Sequence, residues 1–272
     1  KISGEEATNA SYLLRFGQQV TQFAGQFMTN GAIRMETQKR NGVTISLYRS
    51  TQGTSMVDVA QTLAAAKLGT DTEQEYAFTL YLAGKRASQV GWDKLNVKDA
   101  TKAKAEYASV LQRLALNPQA KTAFEAAAKQ YQQYNAGLMD FLVQTGYLTE
   151  AKAAELKAIT FVPFYRIRDG EVELMIDRAT PVRIANIKDE PQLQELVGGA
   201  DHILPIFTSA AQNTFMLTRM GLRNQGVKET AFMLLKLGVA SRISQGMGPA
   251  GKDVVRFKRK GKDYYVKIDT DQ

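Results

Sequence analysis

A chain of 272 residues with 44% hydrophobic and 23% charged side chains can bury the core of one large domain or two small ones. Zero cysteines exclude disulfide scaffolds, thiolate metal sites, iron–sulfur clusters and cysteine nucleophiles, and a single histidine excludes an ordinary multi-histidine metalloenzyme. The excess of 35 Lys and Arg over 27 Asp and Glu favours a polyanionic partner, nucleic acid or lipid headgroups, without choosing between them.

The chain opens on Lys1 rather than Met and stops just after a strand-like run, so it is expected to be a processed product or part of a longer polypeptide. From Glu5 to Asn30, Leu13, Phe16, Val20, Phe23 and Phe27 recur at spacings of three and four, the stripe of an amphipathic helix, and Gly31 marks its stop. Two strand-like runs then flank Asn41-Gly42, the strongest two-residue hairpin signal, and predict a β-hairpin near 32–49.

Helical text follows over Ser55–Leu68, Thr72–Trp92, Lys98–Leu116 and Pro118–Thr145, with a shorter piece from Thr149. Thr72 and Glu75 fit a capping box, Asn117-Pro118 fits an N-cap followed by proline at the first helical position, and Gly69 and Gly146 fit C-terminal stops. Tyr76, Phe78, Tyr81 and Trp92 lie on or near one helix, where such spacing predicts core. The register changes at Ile159. There Pro163 cannot donate to a central ladder, so residues 159–166 are expected to form an extended joint or edge strand, and the best domain cut falls at 158, giving 1–158 and 159–272. Phe161, Phe164 and Tyr165 are the residues expected to pack this joint, or to dock a partner. After a turn at Asp169-Gly170 and short extended pieces, residues 206–243 read as mostly helix, broken or bent near Gly221 to Gly226. The charge-free run His202–Thr218 is too short and too polar to span a bilayer. A helix lying on a membrane surface is the second reading of 206–243, beside that of a core helix. The expected fold class is therefore mainly α: a multi-helix bundle with two small hairpins and an extended joint.

Motifs that could carry chemistry each have a defect. Gly246-Met-Gly-Pro-Ala-Gly-Lys252 matches a phosphate-cradling loop, but Asp253 replaces the hydroxyl residue and the order of elements is helix, loop, strand. Arg49-Ser50-Thr51 with Glu171-Val-Glu173 echoes mono-ADP-ribosyltransferases, yet alternating carboxylates after a turn are commonly solvent-facing. His202, beside Asp201, has no nucleophile-elbow pattern near it. These residues assign no catalytic group, no metal and no cofactor.

The basic excess is concentrated at the end: residues 201–272 hold 12 basic and 6 acidic groups, against 14 and 14 over 91–200. Over 252–267, seven cations face only Asp253 and Asp263. Here a second hairpin, 254–268, is predicted to turn at Lys260-Gly261, with Arg256, Lys258 and Lys260 alternating against Val255, Phe257 and Arg259. Arg256, Lys258 and Lys260 are the candidate nucleic-acid contacts; the competing reading is a solvated edge strand that its lysines protect from aggregation.

Four stretches carry a resemblance: Glu75-Tyr-Ala-Phe-Thr-Leu-Tyr-Leu-Ala-Gly-Lys-Arg-Ala, Phe161-Val-Pro-Phe-Tyr-Arg166, Pro205-Ile-Phe-Thr-Ser-Ala-Ala-Gln-Asn213 leading to Arg223-Asn224, and Gly261-Lys-Asp-Tyr-Tyr-Val-Lys-Ile-Asp. Together, over about residues 70–272, they resemble the helical, non-catalytic regions of very large bacteriophage proteins, the polyvalent or internal virion proteins packed in the capsid and ejected with the DNA. The resemblance implies a structural or scaffold module, located in the virion interior and carried toward the host envelope or cytoplasm. It also implies partners among other segments of a larger polypeptide, other virion proteins and packaged DNA, and assembly as a homo-oligomer. It supplies no catalytic residues. The alternative is an enzyme or enzyme-accessory domain of such a protein, acting on nucleotide, NAD or peptidoglycan.

Overall fold

A computed structural model describes residues 20–40, 43–51, 53–92, 100–158, 165–168, 171–174, 182–186, 205–243 and 253–269. In chain order its elements are α1 (Val20–Asn30), β1 (Ile33–Arg40), β2 (Val43–Ser50), α2 (Met56–Ala64), α3 (Asp71–Val90), α4 (Ala100–Leu116), α5 (Pro118–Gln144), α6 (Glu150–Ala158), β3 (Tyr165–Arg168), β4 (Glu171–Leu174), β5 (Val182–Asn186), α7 (Ile206–Leu237), β6 (Ala240–Ile243), β7 (Val254–Arg259) and β8 (Lys262–Ile268). The fold is mainly α with small antiparallel sheets. The chain divides into two compact units, one of Lys1–Gly53, Ala136–Glu155 and Leu217–Gln272, the other of Thr54–Asn135 and Leu156–Met216.

In the second of these units, α2, α3, α5 and α7 start where a side chain satisfies free backbone donors. Ser55 caps α2 through Asp58, and Thr70 caps α3 through Glu73, both as reciprocal capping boxes. The box expected at Thr72 and Glu75 is thus displaced by two residues, and Glu75 is put to another use. Its carboxylate accepts the Phe207 N–H at 3.1 Å, while Thr79 Oγ1 accepts the Ile206 N–H at 3.1 Å, so α3 caps the start of α7. Asn117 Oδ1 accepts the Ala120 N–H at 3.0 Å, as the Asn-Pro signal predicts.

Phe78, Tyr81 and Phe124 form the aromatic core of this unit, with Phe124 edge-on to both partners. Tyr76 departs from the expected core position: it is 51% exposed, and its hydroxyl donates to Glu106 on α4 at 2.9 Å. Gly84 lets α4 approach, since a Cβ there would fall 2.3 Å from the Tyr107 ring. Strands β3, β4 and β5 make an antiparallel sheet whose register sets Glu171 opposite Arg168 and Glu173 opposite Arg166.

In the first unit, β1 and β2 pair antiparallel from Ile33 with Ser50 to Arg40 with Val43, the hairpin expected around Asn41-Gly42. Phe27 packs edge-on against Phe141, centroids 5.5 Å apart, and Phe23 against Tyr48 at 5.1 Å. The Met35 N–H donates to Gln144 Oε1 at 2.7 Å, which ties β1 to the end of α5.

Two sequence expectations for α7 fail in this unit. The helix runs unbroken through Gly221 and Gly226. Gly221 serves close approach: a Cβ there would fall 2.5 Å from Phe141 Cε1. The helix also ends at Leu237 rather than 243, because Gly238 turns with φ +74° and the next residues pair as β6 with β8. The sheet order is β6-β8-β7, and Phe257, Val266, Ala240 and Ala231 form a buried cluster where it packs on α7.

Candidate nucleic-acid interface

The C-terminal hairpin turns at Lys260-Gly261, where φ of +50° and +72° give the paired left-handed conformation that matches strand twist in a two-residue loop. Its tip is docked. The Gly261 N–H donates to the Gly146 carbonyl at 3.0 Å, and a Cβ on Gly261 would strike Thr149 at 2.5 Å. Gly146 itself closes α5 with φ +77°, and the Tyr147 N–H reaches back to Leu142 at 2.8 Å.

The outer edge of β7 is held by one side chain on α7. Asn224, 7% exposed, donates from Nδ2 to the carbonyls of Thr145 (2.9 Å) and Lys258 (2.8 Å) and accepts the Lys258 N–H at Oδ1 (2.6 Å). It bonds Lys258 as a neighbouring strand would, and joins α5, α7 and β7 at one point.

On this scaffold Arg256 and Lys258 alternate to one face, as the sequence predicts, and Phe257 is buried on the other. Asp263 shares their face. It accepts from Arg256 Nε at 3.1 Å and Nη2 at 2.9 Å, and lies 3.6 Å from Lys258 Nζ. Burial works against the Asp263 charge, but the Arg256 hydrogen bond and the Lys258 and Arg256 charges outweigh it and hold the carboxyl below its usual range. Lys258 Nζ also lies 5.5 Å over the Tyr147 ring. Lys260 belongs to the turn rather than to the strand face. Exposed Lys260, Lys262, Lys267 and Arg223 make no ion pair among the described residues.

A groove of about 630 Å³ follows the β7 edge, with Arg223 and Val227 of α7 on one side, Arg256, Lys258 and Asp263 on the other, and Tyr147 beside them. Two arginines and a lysine along one groove are suited to charge-assisted hydrogen bonds with anionic oxygens, and the guanidinium forks match phosphate geometry.

Phe161 and Phe164 lie outside the described residues, as do His202, Lys252 and the glycine loop 246–251. Tyr165 opens β3. Arg49, of the transferase-like pattern, is taken up by Glu36 across its hairpin at 3.1 Å. Among the described residues no cluster of His, Cys, Asp and Glu could hold a metal ion, and no helix is long and apolar enough to cross a membrane. Sequence reasoning overlooked Asp263 as the partner of Arg256 and Lys258, although a turn at Lys260-Gly261 sets Lys258 opposite Asp263. It had no signal for Asn224, because a buried mid-helix asparagine declares itself only through its distant partners.

No family model, no curated protein and no solved structure matches this chain.

Proposed function

We propose that this chain is a non-enzymatic structural module of a large phage internal virion protein, and that it holds packaged DNA through phosphate contacts of its C-terminal hairpin. The observation that carries the reading is the anchored basic strand: β7 is fixed to α7 by Asn224 and to the α5 terminus through Gly261, and Arg223, Arg256 and Lys258 line the groove beside it. Cations held on a rigid frame bind phosphate with less ordering cost than cations on a free tail.

A second feature supports the structural part of the proposal. The stretches that carry the phage resemblance supply joints: Glu75 and Thr79 cap α7 at Ile206 and Phe207, Gly84 seats Tyr107, Asn224 clasps Lys258, and Gly261 meets Gly146. Residues spent on such joints hold a shape. The module's place is then the virion interior, as a repeated copy among other segments and virion proteins.

Phosphate contacts carry no sequence information. Fluorescence anisotropy with two duplexes of unrelated sequence tests the reading. Equal affinities, both weakened when Arg256, Lys258 and Lys260 are changed to Ala, are expected; absence of binding, or binding untouched by these changes, would refute it.

A further inference from the structure

The other face of the C-terminal sheet offers different chemistry. Strand alternation and register place Phe257, Arg259, Lys262, Tyr264 and Val266, with Arg242 of β6, on the face that packs against α7. Phe257 and Val266 are buried there, and Phe232 of α7 meets Phe257 edge-on at 5.6 Å. Tyr264 is 37% exposed. Its ring stacks on Phe257, with centroids 5.8 Å apart and planes inclined by 15°, so packing fixes its orientation while part of the ring stays open to solvent.

Beside Tyr264 lies a cavity of about 400 Å³ that Arg242 and Arg259 also line, within the ~300–1,000 Å³ typical of small-ligand sites. No carboxylate lines it among the described residues. The Arg259 guanidinium is held 5.6 Å over the Phe232 ring, and neither arginine makes an ion pair among the described residues. An oriented aromatic ring with two guanidiniums lining the same cavity is complementary to a flat heterocycle with an anionic oxygen on either side. In a duplex the base faces are covered by their neighbours, so only an unpaired base can present its face to such a ring.

We propose that this cavity takes one unpaired base of a single-stranded nucleic acid, stacked on Tyr264, with the flanking phosphates met by Arg242 and Arg259. The inference rests on the phosphate-contact reading above and adds to it a preference for single strands.

The test compares three labelled probes of equal length on the full chain: oligothymidylate, the same strand without bases, and a duplex. The parent is expected to bind oligothymidylate about fivefold or more tightly than the abasic strand. Tyr264→Leu, which keeps apolar packing on Phe257, is expected to bind the two single strands alike, and Tyr264→Phe to behave as the parent. Equal binding of both single strands by the parent, or a preference that survives in Tyr264→Leu, would overturn the inference. If salt-dependent duplex binding persists in that case, the phosphate-contact reading stands alone; failure to bind any probe would overturn both.

Discussion

Asn224 on α7 clasps Lys258 on β7 by both backbone groups, donating to its carbonyl at 2.8 Å and accepting from its N–H at 2.6 Å. The side-chain amide matches the donor and acceptor spacing of a peptide unit, so it closes a sheet edge without a further strand. Asn224→Ala would leave the Lys258 N–H and the Lys258 and Thr145 carbonyls without these partners. An expected loss of about 2–4 kcal/mol, read from urea unfolding, follows from stranding two or three partly buried groups. A loss under about 0.5 kcal/mol would show that the clasp contributes nothing net.

Gly221 occupies the point where α7 meets Phe141 and Thr145 of the α5 end, and a Cβ there would fall 2.5 Å from the Phe141 ring and 3.1 Å from Thr145 Oγ1. On an exposed helix Gly→Ala stabilises by about 1 kcal/mol. Here overpacking costs about 1–3 kcal/mol and opposes that gain. Gly221→Ala is therefore expected to be neutral or destabilising, with a lowered melting temperature as the readout; a clear rise would mean that the two helices part easily.

The capping box at α2 predicts a pH dependence. Asp58 accepts from the Ser55 hydroxyl and N–H, both at 2.7 Å, and these bonds hold its carboxyl below the usual range. A folded-state value below the unfolded one gives stabilisation that is complete above the unfolded value, about 3.9, and lost as pH falls through the folded value. The melting-temperature gap between the parent and Asp58→Asn should thus be widest near neutral pH and close on acidification. A gap independent of pH would contradict this.

Much of the fold is legible in the sequence because its signals are local. Asn41-Gly42 and Lys260-Gly261 locate the β1–β2 and β7–β8 hairpins, and Asn117-Pro118 locates the start of α5. The α3 start is ambiguous at this level, since Thr-x-x-Glu occurs at both Thr70 and Thr72, and the choice falls on Thr70 while Glu75 takes a distant partner at Phe207. Strand β6 is hidden for the same reason: Ala240–Ile243 follows closely on α7 and becomes a strand through pairing with residues 265–268. The cations of the candidate interface can be read from the sequence one by one. Their partners cannot, because Arg223 and Asn224 reach β7 through the packing of α7.

Asp263 occupies Arg256 and Lys258 in the free protein, so it competes with any phosphate for them. Asp263→Asn is expected to raise duplex affinity and to steepen its fall with salt, since one repelling charge is removed and the two cations are released. Tighter binding should appear at low ionic strength first, where screening is weakest. Weaker binding by this variant would assign Asp263 a positioning role instead.

The most direct measurement is the slope of log affinity for duplex DNA against log salt, comparing the parent with Arg256, Lys258 and Lys260 changed together to Ala. Each phosphate contact contributes about 0.9 to that slope. The parent should show a steep linear fall, and the triple variant a shallower one by up to about 2.7, with helix content unchanged by circular dichroism. Equal affinity and equal slope for the two proteins would contradict the proposed phosphate contacts and leave these cations with a solubility role.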